Sequence, residues 1–199
     1  MRVMKSARRD QRQAGDFQTG LNSATAHDWH LVAEREPDMP VEEDLKHLRR
    51  CVELARQALQ AGDEPFGSVL VDAEGKVLME DHNRVAGGDR TRHPEFALAR
   101  WAAENMTPEE RAAATVYTSG EHCPMCAAAH GWVGLGRIVY AASSRQLNQW
   151  LEAFGVPPGP VRSYPIQDIV PDAVVEGPFP ELEEEVRELH RHYHLRSRN

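Results

Sequence analysis

Nowhere in the 199-residue sequence do about 18 apolar residues run together, so no membrane-spanning helix is expected. The N-terminal stretch MRVMKSARRDQRQAGDF is basic but has neither the apolar core nor the small-residue cleavage site of a secretory signal, and a cytoplasmic location is expected. Cysteine is scarce. Three cysteines, an odd number, do not build a disulfide framework, which favours metal or thiol chemistry for any close pair. Positive charge is also in deficit, with a net charge of -8. Residues 1–38 balance six Lys/Arg against six Asp/Glu, so the remainder, with 17 against 25, carries the whole imbalance. That is the wrong sign for a body built to neutralise phosphates and disfavours a nucleic-acid partner. No internal repeat is found. What the chain does have is 41% hydrophobic residues, enough for one substantial core and a single domain with tails.

Residues 1–38 hold few aliphatics and no clear period, so burial would not offset their ordering entropy; a flexible arm is expected there, with the folded domain over 39–199. Met39 stands just before the first periodic segment, and a shorter product starting there would be revealed by the intact mass of the native protein. The segment VEEDLKHLRRCVELARQALQAG places Leu45, Leu48, Cys51, Val52, Ala55 and Leu59 at helical spacing, and Gly62 stops it. Cys51 on that stripe reads as a core thiol. PFGSVLVDAEGKVLMEDHNRV reads as a hairpin turning at Asp72–Gly75. HPEFALARWAAENM and CPMCAAAHGWVGL read as helices, each with Pro in its first turn. ATVYTS, RIVYAAS and AVVEG read as strands, SSRQLNQWLEAF as a helix capped by Ser143 or Ser144, and FPELEEEVRELHRHYHL as a last helix with Leu182, Val186, Leu189 and Tyr193 inward. Residues 155–165, rich in Pro and Gly, are loop. A hairpin followed by alternating helix and strand implies an α/β fold of three layers, with a mixed five-stranded sheet covered on both faces. Trp101, His130 and Trp132 read as packing residues, and the tail His190–His194 as a solvated end.

Two helix starts share a feature: His93-Pro94-Glu95 opens one and Cys123-Pro124-Met125-Cys126 opens the other. A helix N-terminus suits thiolates, because its dipole and free N–H groups favour negative charge. Sulfurs at i and i+3 lie on one face of the first turn. Two thiolates and one neutral imidazole fill three corners of a zinc tetrahedron and cancel the ion's charge, leaving the fourth corner for water, as in catalytic sites. Glu95, two residues beyond His93, is then near enough to take a proton from that water without being a ligand. A thioredoxin-like redox pair at Cys123 and Cys126 would leave His93 and Glu95 unexplained.

An H-x-E motif followed about thirty residues later by C-x-x-C resembles the zinc-dependent cytidine deaminase-like superfamily. The likeness runs from about residue 41 to the C-terminus and includes the Pro65-Phe66-Gly67 turn and the Asn83 that ends the hairpin. It is strongest toward guanine deaminases, fungal-type cytosine deaminases and tRNA adenosine deaminases. The resemblance implies one Zn2+ per chain held by His93, Cys123 and Cys126, with Glu95 as proton shuttle. It makes Asn83 a hydrogen-bond partner of the base, turns the backbone around Gly67 and Cys123 toward the reacting ring, and implies a homodimer. One departure is His122, where the family has Pro; it is a candidate pocket residue and the candidate fourth ligand of a purely structural zinc site. Phe66 and, from the last helix, Tyr193 or Phe179 are candidate pocket walls.

The implied reaction is hydrolytic deamination of an aminated nitrogen heterocycle, giving a carbonyl and ammonia. The Pro-rich 155–165 loop resembles a lengthened region of guanine deaminases, so a guanine-type purine base or nucleoside ranks first. A cytosine-type pyrimidine follows. Adenosine in tRNA ranks third because the body is acidic.

Overall fold

The computed structural model describes residues 41–196; the expected arm over 1–38 and the candidate start at Met39 lie outside the described residues. The elements run α1 (Val41–Ala61), β1 (Gly67–Val71), β2 (Val77–His82), α2 (Pro94–Asn105), α3 (Pro108–Ala113), β3 (Thr115–Gly120), α4 (Pro124–Val133), β4 (Arg137–Ala142), α5 (Ser144–Ala153), α6 (Ile166–Ile169), β5 (Val175–Glu176) and α7 (Pro180–Arg196). A single 3-10 turn covers Val85–Gly87.

The five strands stand in the order β2-β1-β3-β4-β5. The β1 strand pairs antiparallel with both β2 and β3, whereas β3, β4 and β5 run parallel, which is the mixed sheet expected. Alternation along the strands sorts the core into two faces. Val69, Val71, Tyr117, Val139 and Ala141 meet Leu45, Leu48, Val52 and Ala55 of α1, Trp150 of α5, and Leu182, Val186 and Leu189 of α7. On the other face Leu70 and Val116 meet Leu98, Ala99 and Ala102 of α2, and Ile138 meets Ala127 of α4 and Ile166 of α6.

Local chemistry explains the joints. Glu42, Glu43 and Asp44 occupy the first turn of α1, where the helix dipole favours negative charge. The hairpin closes on Asp72, whose Oδ1 accepts the N–H groups of Glu74 (3.1 Å) and Lys76 (2.8 Å). Ser143 caps α5 through a reciprocal box with Gln146. Gly67 is where β1 lies against α1: a Cβ there would stand 2.4 Å from Leu54 Cβ and 2.5 Å from the Cys51 carbonyl oxygen, so glycine is what lets the two elements touch.

Three expectations need correction. The α3 helix falls in a stretch with no assigned element, although Thr107 and Glu110 form a capping box around Pro108. Trp132 does not pack: it is 88% exposed on α4, whereas Trp101, partly buried, packs against the α2 side of the core as expected. The histidine tail is not wholly solvated either. His190 is 2% exposed, its ring edge-on to Phe66 at 4.9 Å, because its position continues the Leu182, Val186 stripe of α7. His190 and His194, four apart, share a helix face and stack at 6.3 Å. Among the described residues no helix is long and apolar enough to cross a membrane.

Candidate active site

The site forms where α2 and α4 begin side by side. His93 and Cys123 are the N-cap residues of these helices, each followed by a proline at the first helical position. Proline's missing N–H is no loss there, and its fixed φ suits a helix start. His93 makes no side-chain cap bond to its own helix, and the Cys123 sulfur turns toward both His93 and Cys126. Cys126, one turn into α4, completes the group.

His93 Nδ1, Cys123 Sγ and Cys126 Sγ form a triangle whose three edges each measure 3.6 Å. Zinc–sulfur bonds of about 2.3 Å and a zinc–nitrogen bond of about 2.05 Å at tetrahedral angles require edges of roughly 3.5–3.8 Å, so the donor set fits a tetrahedral ion without rearrangement. Among the described residues these are the three side chains positioned to bind a metal ion together. The two thiols share a proton across their 3.6 Å contact, which brings the Cys123 thiol down to about 4 against the opposing effect of burial, and His93 adds to the lowering. Cys126 is correspondingly pushed up by that shared proton, by burial and by the Glu95 charge. The hydrogen bond to Cys123 raises His93, overcoming its burial.

Glu95 lies beside this triangle and is 6% exposed. Its Oε2 is 3.6 Å from Cys126 Sγ, and its Oε1 accepts from Ser68 Oγ (3.1 Å) and Thr118 Oγ1 (2.8 Å). Burial raises its carboxyl above the usual range, against the pull of His93.

The other expected site residues are placed as follows. Asn83 is buried; its backbone N–H donates to the Phe66 carbonyl (3.0 Å), and its Nδ2 to that of Glu64 (3.2 Å). Its Oδ1 is a buried acceptor with no partner among the described residues, unusual for a folded interior and suited to a ligand N–H. Phe66 bridges the site and the C-terminal helix, with its ring against the Gly120 α-carbon on one side and His190 on the other. Gly67 N donates to Ser119 Oγ at 3.1 Å, and the side-chain direction it lacks faces α1. His122 is not brought into the metal triangle. Its buried ring packs edge-on to His130 at 5.5 Å, and burial holds both imidazoles well toward the neutral form. Tyr193 is half-buried; burial, with the Glu64 charge adding, raises its phenol.

Sequence reasoning did not single out Ser68, Thr118 or Glu121. The Glu121 carboxylate accepts the N–H of Ser144 (2.8 Å) and of Ile166 (3.1 Å), tying the loop before Cys123 to the starts of α5 and α6. Its signal is only its place next to the ligand loop.

With this geometry in view, residues 41–142 match the family of the cytidine and deoxycytidylate deaminase zinc-binding region. The chain belongs to this zinc-binding deaminase family. The deaminase is 33% identical over 144 residues to a probable cytosine deaminase of Schizosaccharomyces pombe, covering 71% of this chain and 88% of that one. It is 36% identical over 97 residues to a guanine deaminase of Bacillus subtilis, covering 48% of this chain and 62% of the relative. A structure from studies of A-to-I editing by tRNA:A34 deaminases at the wobble position of transfer RNA superposes with a TM-score of 0.52 at 27% identity, covering 73% of this chain and 99% of that chain. The mixed sheet between helices is thus the cytidine deaminase-like fold expected; the matched region is a zinc-binding one, and His93, Cys123 and Cys126 are positioned to bind a metal ion.

Proposed function

We propose that the chain is a hydrolytic deaminase of a nucleobase or nucleoside, in which His93, Cys123 and Cys126 hold one Zn2+ and Glu95 carries protons. The observation that carries this reading is the 3.6 Å triangle of two sulfurs and one nitrogen with the Glu95 carboxylate at its side. Bound there, zinc supplies the Lewis acidity that makes water a nucleophile near neutral pH. Glu95 takes a proton from the attacking water and passes it to the ring nitrogen beside the amine-bearing carbon. It then delivers the second proton of that water to the departing amine, so ring C–NH2 and H2O become ring C=O and NH3. Its burial suits the task, since a raised carboxyl holds a proton more readily than a solvated one. Asn83 Oδ1, unpartnered among the described residues, accepts an N–H of the base. Phe66 forms an aromatic wall, Tyr193 covers the opening, and His122 and the Gly67 backbone border the floor.

Two rings compete within this reading. A guanine-type purine is supported by the long loop after α5 and by the likeness to the Bacillus guanine deaminase; a cytosine-type pyrimidine is supported by the relative of which the chain covers 88%. The acidic body opposes adenosine in tRNA. A structural zinc module would need a fourth protein ligand, and the one candidate, His122, packs on His130 instead. The test is ammonia release by zinc-loaded protein from guanine, cytosine, adenine, their nucleosides and an anticodon stem-loop RNA. Turnover of a base or nucleoside is expected; turnover of the RNA alone would overturn the reading.

A homodimer is also proposed, because α4, the helix carrying Cys126, leaves Trp132 unburied at 88% exposure. Light scattering after size exclusion should give twice the chain mass, and Trp132→Ser should give the chain mass. A dimer unaffected by that substitution would place the contact elsewhere. Thiolate ligands fit a reducing, cytoplasmic setting.

A further inference from the structure

We infer that Ser68 and Thr118 are positioning residues that fix the Glu95 carboxylate, holding Oε1 so that Oε2 is the oxygen presented to the metal triangle. Ser68 of β1 and Thr118 of β3 are direct cross-strand partners. Both are fully buried on the face of the sheet that carries Leu70 and Val116, where their neighbours form an apolar cluster. Two hydroxyls in such a place are unfavourable unless bonded, and both converge on one atom. Ser68 Oγ lies 3.1 Å and Thr118 Oγ1 2.8 Å from Glu95 Oε1, with 2.9 Å between the hydroxyls.

The donor count gives the arrangement its direction. Each hydroxyl has one proton. Thr118 Oγ1 also lies 3.0 Å from the Gly120 carbonyl and 3.5 Å from that of Gly67, so it has other acceptors within reach. An ionised Glu95 is the strongest acceptor present, and both protons turn to Oε1. With that oxygen doubly occupied, an incoming proton is received on Oε2, which lies 3.6 Å from Cys126 Sγ on the metal side. The strand pair thus sets the angle of the carboxylate that α2 carries. A misplacement of about 1 Å at such a group can cost roughly a hundredfold in rate, although every ligand remains in place.

This inference rests on Glu95 being the proton carrier, and its test is built to fail separately. Ser68→Ala, Thr118→Val, the double variant and the hydroxyl-retaining Thr118→Ser are compared with the wild type, all loaded to one zinc per chain. The infrared carboxylate band of Glu95, identified as the band absent from Glu95→Gln, should shift in each hydroxyl deletion, most in the double variant, and stay near the wild-type position in Thr118→Ser. On the base that the wild type turns over, kcat should fall roughly tenfold in each single deletion and about a hundredfold in the double, with KM within about twofold. Thr118→Ser should recover most of the loss seen in Thr118→Val. An unmoved Glu95 band in the double variant overturns the inference, and so does a moved band with unchanged kcat. Should the double variant fail to fold, the two single deletions against Thr118→Ser decide by the same readouts. If the wild type turns over no base, or Glu95→Gln keeps full turnover, the functional reading fails, and the infrared comparison still decides whether the hydroxyls hold the carboxylate.

Discussion

Two carboxylates are buried on opposite faces of one sheet, and consecutive residues of β3 serve them: Tyr117 donates to Asp44 at 2.7 Å, and Thr118 donates to Glu95 at 2.8 Å. Their side-chain partners differ: among the described residues a guanidinium is paired with Asp44 and none with Glu95. Asp44 accepts two further bonds from the Arg137 guanidinium, at 2.8 and 2.6 Å, so both of its oxygens are occupied. Burial alone would push its carboxyl up, but Arg137 and Tyr117 together hold it below the usual range. Glu95 receives the two neutral hydroxyls on one oxygen and the longer Cys126 thiol contact on the other, with no guanidinium of the described residues against it, and burial prevails over His93 to raise it. A saturated acid is a joint between α1, β3 and β4. A half-saturated one beside three metal donors is available for chemistry.

Substitutions can break this contrast from either side. Glu95→Gln should leave zinc content and melting temperature close to wild type while turnover falls by about 10²–10⁴-fold, measured as ammonia release. On the other face, Arg137→Met strands a buried Asp44 charge and should cost about 3–5 kcal/mol in chemical denaturation, with kcat of the folded fraction retained. A kcat loss in Arg137→Met as large as in Glu95→Gln would end the distinction between joint and reagent.

The smallest expected effect concerns pH and belongs to the Asp44 face, where α7 packs. Burial pushes the His190 imidazole down to about 3, so it stays neutral in the fold while the unfolded chain takes up a proton below about pH 6.5. Its contribution to stability is therefore complete above that pH and is lost progressively as pH falls toward the folded value. Melting temperatures of metal-free protein should drop from pH 7 to pH 4, and less steeply in His190→Leu. Equal slopes would show that His190 is not the group responsible.

Much of this was legible in the chain. Proline after His93 and after Cys123 marked both helix starts, and the turn Asp72–Gly75 between two apolar runs marked the hairpin, because these signals are local. The α3 helix carried a local signal too, the Thr107 and Glu110 box, but six residues gave no amphipathic period to draw attention to it. His190 was legible in principle, four residues beyond Val186 on the same stripe. The rest depends on register and distance. That Ser68 meets Thr118 follows from which strands pair and at what offset, and that Asp44 meets Arg137 follows from α1 crossing the sheet. Neither is written in spacing along the sequence.

X-ray absorption at the zinc edge of the loaded protein tests the central claim most directly. Two sulfurs at about 2.3 Å, a single imidazole at about 2.0 Å and one further light atom are expected. A second imidazole, a third sulfur, or failure to take up zinc would contradict a site built from His93, Cys123 and Cys126 with one corner left for water.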